Sequence, residues 1–231
     1  MLDKRPLFII TARAGSSRLP GKVLKKFWKQ YCMLEFLILR FKSIHEASRL
    51  VLATPDTHEN DSVADIGIKS GITVIRGPEN NVVDRMYQCY LREQANFIVR
   101  ITADNPFTDP TLAALQLKKM IRVDADYSYC KKCPSGTAVD IWTADCFEAT
   151  VNNANSQYER EHVNAHVWNS PETYKILWFG PPESYVCPEL NLSVDTENDF
   201  ERVKKFAGTL DNPLNVNIEK LISLKSLVSI G

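Results

Sequence analysis

No stretch of this chain approaches the roughly 20 consecutive apolar residues that a bilayer-spanning helix needs. Net charge is missing as well: Lys plus Arg and Asp plus Glu number 28 each. No global field therefore draws the protein toward nucleic acid or a membrane surface. Internal repeats and low-complexity tracts are absent. The opening residues MLDKRP lead straight into a strand-like run without a cleavable apolar region, which sets the expectation of a cytoplasmic protein. Cysteine is sparse, at six positions (Cys32, Cys89, Cys130, Cys133, Cys146 and Cys187). Five of them sit in or beside patterned elements, and reduced thiols are expected, not a disulfide framework. What remains is an ordinary globular composition, 44% hydrophobic and 24% charged over 231 residues, enough for one substantial core.

Against that neutral background, one segment concentrates cations. ARAGSSRLPGKVL, from Ala12 to Leu24, follows the apolar run Leu7–Ile10 and holds Arg13, Arg18, Lys22, two glycines and two serines. Glycine lets backbone N–H groups come close to an anion, and guanidinium and ammonium groups neutralise it. Such a loop suits a polyphosphate on a small ligand. It is not a Walker A loop, because Gly15 and Gly21 are separated by five residues and Val23 follows Lys22 where a Ser or Thr should stand. Nor does it carry the GxGxxG dinucleotide fingerprint.

Periodicity places the loop. Strand-like runs at Leu7–Thr11, Arg49–Thr54, Thr73–Arg76 and Phe97–Thr102 alternate with helical spacing at Met33–Ile44 and Val82–Gln94, and with a capped segment at Asp56–Ser70 that stops before Gly71. Alternation of this kind predicts crossover connections and a mainly parallel sheet, with ligands beyond the carboxyl ends of the strands. The loop leaves the first strand at that edge, and Asp104 leaves the fourth at the same edge. After Asp124 the pattern is interrupted: strands are expected at Asp126–Tyr129, Ala138–Trp142 and Tyr174–Phe179, and helical segments near 143–153 and 157–168. Further helices are expected at Glu197–Phe206 and Ile218–Leu227.

Single residues carry competing readings. Asp104 can cap the following turn or offer a hard oxygen to Mg²⁺, which takes one or two carboxylates plus phosphate oxygens. Asp195 precedes a helix and could be its N-cap, although Thr196 with Asp199 three beyond it fits that duty too. Asp84-Arg85 could contact a ligand or brace a helix internally. Cys130 and Cys133 with His162 and His166 have the right types for zinc, but the 28-residue gap exceeds finger spacing and no zinc site is expected. Asp124-Ala125-Asp126 precedes its strand and reads as a turn.

The loop resembles the nucleotide signature of the cytidylyltransferase branch of sugar nucleotidyltransferases, which includes CMP-sialic acid and 3-deoxy-manno-octulosonate cytidylyltransferases. It is nearest to the spore coat polysaccharide biosynthesis type. Four more blocks follow in the family's order: VIRGPENNVVDRMYQ at 74–88, VRITADNPFTDP at 99–110, YEREHV at 158–163 and SVDTENDFERV at 193–203. The resemblance implies a three-layer α/β/α fold with a mainly parallel mixed sheet. Residues 1–123 would be its nucleotide-binding half and 124–231 its acceptor-binding and metal-completing half. It implies CTP and Mg²⁺, an acidic sugar acceptor and the possibility of a homodimer. Arg13, Arg18, Lys22, Asp104 and Asp195 would be catalytic, with Asp104 and Asp195 as metal ligands. Ala12, Ala14, Gly15, Ser16, Arg76, Asp84 and Arg85 would join Arg13, Lys22 and Asp104 around the nucleotide. Asp140, Tyr158, Glu159, Arg160 and His162 would meet the acceptor. Three departures stand out: Ala103 replaces a Gly of the relatives, Asn105 replaces a commonly small or cysteine-like residue, and TAVD at 137–140 replaces their LDVE.

Overall fold

The computed structural model describes residues 6–43 and 49–227. In chain order the strands are β1 (Pro6–Thr11), β2 (Lys26–Trp28), β3 (Tyr31–Cys32), β4 (Leu50–Pro55), β5 (Thr73–Gly77), β6 (Phe97–Thr102), β7 (Tyr127–Cys130), β8 (Asp140–Thr143) and β9 (Ile176–Phe179). Seven of them form one sheet in the order β5-β4-β1-β6-β8-β7-β9, while β2 and β3 make a separate hairpin. Every neighbouring pair in the sheet is parallel except those of β8, which runs against both β6 and β7. The mixed, mostly parallel architecture is the one expected.

Helices α1 (Met33–Lys42), α2 (Asp61–Lys69), α3 (Val82–Glu93), α4 (Pro110–Val123), α5 (Ala144–Asn153), α6 (Gln157–Glu161), α7 (Ala165–Trp168), α8 (Glu197–Gly208) and α9 (Ile218–Ser223) cover it. Alternate residues of the strands feed two cores. Phe8, Ile10, Leu52, Val99 and Ile141 pack with Phe36, Met120, Phe200 and Phe206, from α1, α4 and α8. Leu7, Ile9, Ile98, Tyr127 and Trp142 face the other way, onto Met86, Phe147 and Val167 of α3, α5 and α7. Burying each such large apolar side chain contributes about 1.5–3 kcal/mol, so both faces of the sheet are covered and its edges are left for chemistry.

Where the structure departs from the expected elements, local signals explain it. The sequence reading assigns no helix to 110–123, yet Asp109 caps α4 through the Leu112 N–H (2.7 Å) and Pro110 opens its first turn. The β2–β3 hairpin turns at Lys29, whose φ of 51° is left-handed, and was hidden by an aromatic-rich stretch with no Gly. The expected helix at 157–168 is broken: α6 ends at His162 (φ −101°, ψ 83°) and α7 restarts at Ala165. The expected terminal helix stops at Ser223 and resumes as a 3₁₀ turn at Lys225–Leu227. Ile44, the expected end of the first helix, lies outside the described residues.

Candidate active site

The loop after β1 is folded by its own backbone. Ala14 accepts from the Gly21 N–H (2.9 Å) and donates its N–H to Asn60 Oδ1 (2.8 Å). Gly21 takes φ 66° to turn the chain into a 3₁₀ turn at Lys22–Leu24, a conformation that disfavours any residue with a Cβ. Asn60 is fully buried, and its amide nitrogen is held by Thr57 Oγ1 (2.8 Å). A buried asparagine in a polar turn thus pins the loop from outside it. Sequence reasoning missed Asn60; the Thr57–Asn60 turn before α2 was its only trace.

Lys22 is the centre of the arrangement. Its stem is buried, and its ammonium donates to the Val194 carbonyl (2.7 Å), to Asp104 Oδ2 (3.3 Å) and to Asp195 Oδ1 (3.4 Å). Two carboxylates 91 residues apart in sequence therefore meet on one ammonium. The backbone joins them as well, through the Val194 N–H to the Asp104 carbonyl (2.9 Å). The capping question at Asp195 is resolved. Thr196 is the N-cap of α8, and Asp199 Oδ2 returns to the Thr196 N–H (2.9 Å), a reciprocal box that satisfies the orphan donors of the first turn. The carboxylate of Asp195 is thereby left to face the site, where Arg18 also meets it (2.9 Å).

These groups line a cleft of about 340 Å³ at the carboxyl ends of β1 and β6. Of the expected residues, Ala12, Arg13, Gly15, Ser16, Arg18, Lys22, Arg85, Asp104, His162 and Asp195 all border it. A Cβ at Gly15 would meet only Glu59 Oε1, at 3.8 Å, so the space beside that glycine belongs to the cleft. Sequence reasoning missed Arg100, Thr102 and Glu161, which border it too. Arg100 had a signal: a cation inside the central strand FIVRIT needs a reason to be there. Five cations and three carboxylates share the walls, so the positive excess absent from the whole chain is present here. Arg13 is paired with Glu161 (2.8 Å). Burial lowers the Arg85 guanidinium to a pKa of about 10, with Glu161 opposing and Arg13 and Arg100 adding to the shift. Its guanidinium braces the turn before α3 by donating to the Pro78 and Glu79 carbonyls (2.6 and 2.7 Å).

Seven expected residues are placed elsewhere. Arg76 is held by Asp61 (2.7 Å), Asp56 (3.1 Å) and the Thr57 carbonyl, which fixes the 56–61 turn and keeps it off the cleft. Ala14 and Asp84 serve the scaffold, the first through the two backbone bonds above and the second as the residue whose N–H is capped by Asn81 (2.9 Å). Glu159 is spent on the capping box of α6 with Ser156, hydrogen bonds that lower its pKa. Arg160 donates to the Ala154 carbonyl (3.3 Å). Tyr158 is exposed and packs on His162, with ring centroids 4.4 Å apart. Asp140 is buried and borders a second, adjoining cleft.

The two carboxylates fit a hard divalent cation by donor type: both are oxygen donors, both are partly exposed, and they converge beside a cation-lined space. Among the described residues no cluster of three or more His, Cys, Asp or Glu side chains forms a self-sufficient metal cage. A magnesium-like ion, which keeps waters and phosphate oxygens in its shell, suits two carboxylates.

A structured cationic loop after the first strand, facing two convergent carboxylates at the carboxyl edge of a parallel sheet, defines a nucleotidyltransferase-type site. A family model described as cytidylyltransferase matches residues 7–229. The chain belongs to that family and is a cytidylyltransferase. It is 32% identical over 224 residues to the spore coat polysaccharide biosynthesis protein SpsF of Bacillus subtilis, covering 94% of this chain and 92% of that protein. The structure of a cytidylyltransferase from Leptospira borgpetersenii superposes with a TM-score of 0.90 at 24% identity, over 98% of both chains. That of CMP:2-keto-3-deoxy-manno-octonic acid synthetase complexed with CTP gives 0.68 at 15% identity, over 89% of this chain and 99% of the other. Among the described residues, no helix is long and apolar enough to cross a membrane.

Proposed function

We propose that this protein transfers CMP from CTP to an acidic sugar of the nonulosonic or 3-deoxy-octulosonic type and releases pyrophosphate, for cell-surface polysaccharide synthesis. The observation that carries this reading is the Lys22 ammonium between Asp104 and Asp195, at the base of a cleft that also presents Arg13, Arg18 and Arg100. An acceptor hydroxyl attacks the α-phosphorus, its proton is lost, and the bond from that phosphorus to the bridging oxygen of pyrophosphate breaks. Negative charge spreads over the non-bridging oxygens, so catalysis is positioning and electrostatic stabilisation. Lys22 and Arg13 offset charge on the phosphates, and Arg18 closes the loop over them. Glu161 pairs with Arg13 at the cleft wall and offsets part of its charge until phosphate arrives.

Asp104 and Asp195 would hold Mg²⁺, whose chemistry when bound is to polarise a phosphoryl oxygen as a Lewis acid. The CTP of the octonic acid synthetase complex and the polysaccharide role in the name of the Bacillus relative support the choice of nucleotide and of pathway. A phosphorylated or phosphonate acceptor is the second reading, favoured by the cationic rim of the adjoining cleft, where Lys131 and Lys132 are exposed. The test is pyrophosphate release from CTP and Mg²⁺ with each acceptor class, followed by identification of the CMP product. Product with an acidic sugar is the expected result. Failure of CTP to bind, or turnover with another nucleotide alone, would overturn the reading.

A further inference from the structure

A second cleft of about 440 Å³ adjoins the first, and Arg100 and Thr102 belong to the walls of both. One lateral row of the sheet runs beneath it. Arg100 of β6 is in register with Asp140 of β8, Asp140 with Tyr129 of β7, and Tyr129 with Trp178 of β9. Residues paired in register project to the same face, so a cation, an acid and two aromatics lead away from the nucleotide cleft in a line. The row beside it is Val99, Ile141, Ser128 and Leu177, largely apolar as a core row should be.

The polar row is held rigid from behind. Asp140 accepts from the Tyr127 hydroxyl and from Asn164 Nδ2 (3.3 Å), and Arg100 Nη1 lies 4.0 Å from its other oxygen. The Tyr127 hydroxyl in turn accepts from Trp168 Nε1 (3.0 Å). Trp168 meets Tyr129 and Trp178 edge to face, each at 5.7 Å, and the Lys131 ammonium sits over the Trp178 ring at 3.4 Å. Despite these restraints Trp168 remains 42% exposed. An indole pinned on several sides and left open on another, in a cleft that Asn164, Lys131 and Lys132 also line, is an unusual use of a core-forming residue. Asn105, at the boundary with the nucleotide cleft, donates to Thr102 Oγ1 (2.6 Å), and its Oδ1 has no partner among the described residues.

We propose that this second cleft is the acceptor site of the chain, that Trp168 is the platform on which the acceptor ring stacks, and that Lys131 and Lys132 select an anionic polyol. The assignment rests on the nucleotidyl-transfer reading above. It moves the acceptor away from Tyr158, Glu159 and Arg160 and keeps only Asp140 of that group, as a positioning residue that orients Arg100 and, through Tyr127, Trp168. The apolar face of a sugar ring meets the indole, the hydroxyls meet Asn105 and Asn164, and the anionic group meets the lysine rim. The attacking hydroxyl then faces Arg100 and Thr102, where the two clefts join.

The experiment compares wild type, Trp168→Ala, Trp168→Phe and a Lys131→Ala/Lys132→Ala double variant. CTP affinity is measured by calorimetry, and acceptor KM by pyrophosphate release. The probes are 3-deoxy-manno-octulosonic acid and N-acetylneuraminic acid for a carboxylate, and glucose 1-phosphate for a phosphate. Trp168→Ala should raise acceptor KM about tenfold or more with CTP affinity unchanged, and Trp168→Phe should recover most of the loss. The double variant should weaken whichever anion class is used, and the responding probe identifies its source. An acceptor KM unaffected by Trp168→Ala, or CTP affinity falling in step with it, would overturn the assignment. So would a wild-type protein that binds CTP but none of the three probes at millimolar concentration by saturation-transfer NMR. Failure of wild type to bind CTP at all would instead defeat the nucleotidyl-transfer reading itself.

Discussion

The two adjoining clefts are each built on one contiguous segment and differ in the chemistry they present. The nucleotide cleft takes its largest single contribution from one loop, Ala12–Lys22, to which distant chain adds Arg85, Arg100, Asp104, Glu161 and Asp195. The second cleft also has a contiguous wall, Tyr129–Gly136, but its floor of Arg100, Asp140 and Tyr129 draws one residue from each of three strands. The first is electrostatic, an ammonium shared by two carboxylates. The second is aromatic and hydrogen-bonded, with its one acid buried: burial pushes the Asp140 carboxyl above its ordinary pKa, against the pull of Arg100 and the Tyr127 hydroxyl. In the division proposed above, phosphate chemistry sits in a local cationic loop and acceptor choice beside a polar row set by sheet register.

The sharpest way to break the comparison is at Lys22. Lys22→Ala or Asp104→Ala should cost on the order of 10²–10³ in the rate of pyrophosphate release, with an unchanged circular dichroism spectrum. Wild-type turnover in either variant would remove that residue from the mechanism. A second test asks whether the clefts are mechanically independent. Gly136 borders the second cleft with φ 83°, and a Cβ there would stand 2.8 Å from Ser193 N, two residues before Asp195. Gly136→Ala should destabilise the fold by about 1–3 kcal/mol in urea titration and lower turnover as well. Loss of stability alone would show that the 193–195 segment absorbs the change.

Asp199 tests the division of labour that leaves Asp195 to the site. Burial alone would raise its pKa. Hydrogen bonds from the Thr196 side chain, Arg202 and the Thr196 and Asp195 N–H groups outweigh burial and hold it at about 2, below its ordinary 3.8. A depressed carboxylate contributes stability that is present above the ordinary value and lost as pH falls through the folded one. Asp199→Ala should therefore cost about 1 kcal/mol near neutrality, and the difference from wild type should vanish as the pH drops from about 4 to about 2. A deficit that persists at pH 2 would mean the box is not its cause. Smaller still is Glu161→Gln: releasing Arg13 from a partly exposed pair should lower the KM for CTP by no more than about fivefold. A raised KM would show that Glu161 is needed to aim Arg13.

Much of this was legible in the chain and some was not, for physical reasons. The loop was readable because its cations and glycines are neighbours in sequence, and the parallel sheet because strand and helix periods alternate. That Asp104 shares a sheet edge with the loop followed from topology, while the arrival of Asp195 beside it was implied only by the family resemblance. Which of Asp195 and Thr196 caps α8 did not, since both are good caps and only the reciprocal bond to Asp199 decides. Arg76 was expected at the nucleotide because its block resembles the family's, while its anchors Asp56 and Asp61 lie far from it in sequence. Glu161, the last residue of α6, reaches the cleft just before the helix breaks at His162. The Arg100–Trp178 row depends on the registers of four strands, and a one-residue slip in any of them would turn its side chain to the opposite face.

The most direct measurement is a crystal structure of the protein with CTP and Mg²⁺. The account predicts the triphosphate against the Ala12–Lys22 loop, with the Asp104 and Asp195 carboxylates both facing the α-phosphate and Lys22 beside them. A triphosphate bound away from that loop, or either carboxylate turned out of the cleft, would contradict it.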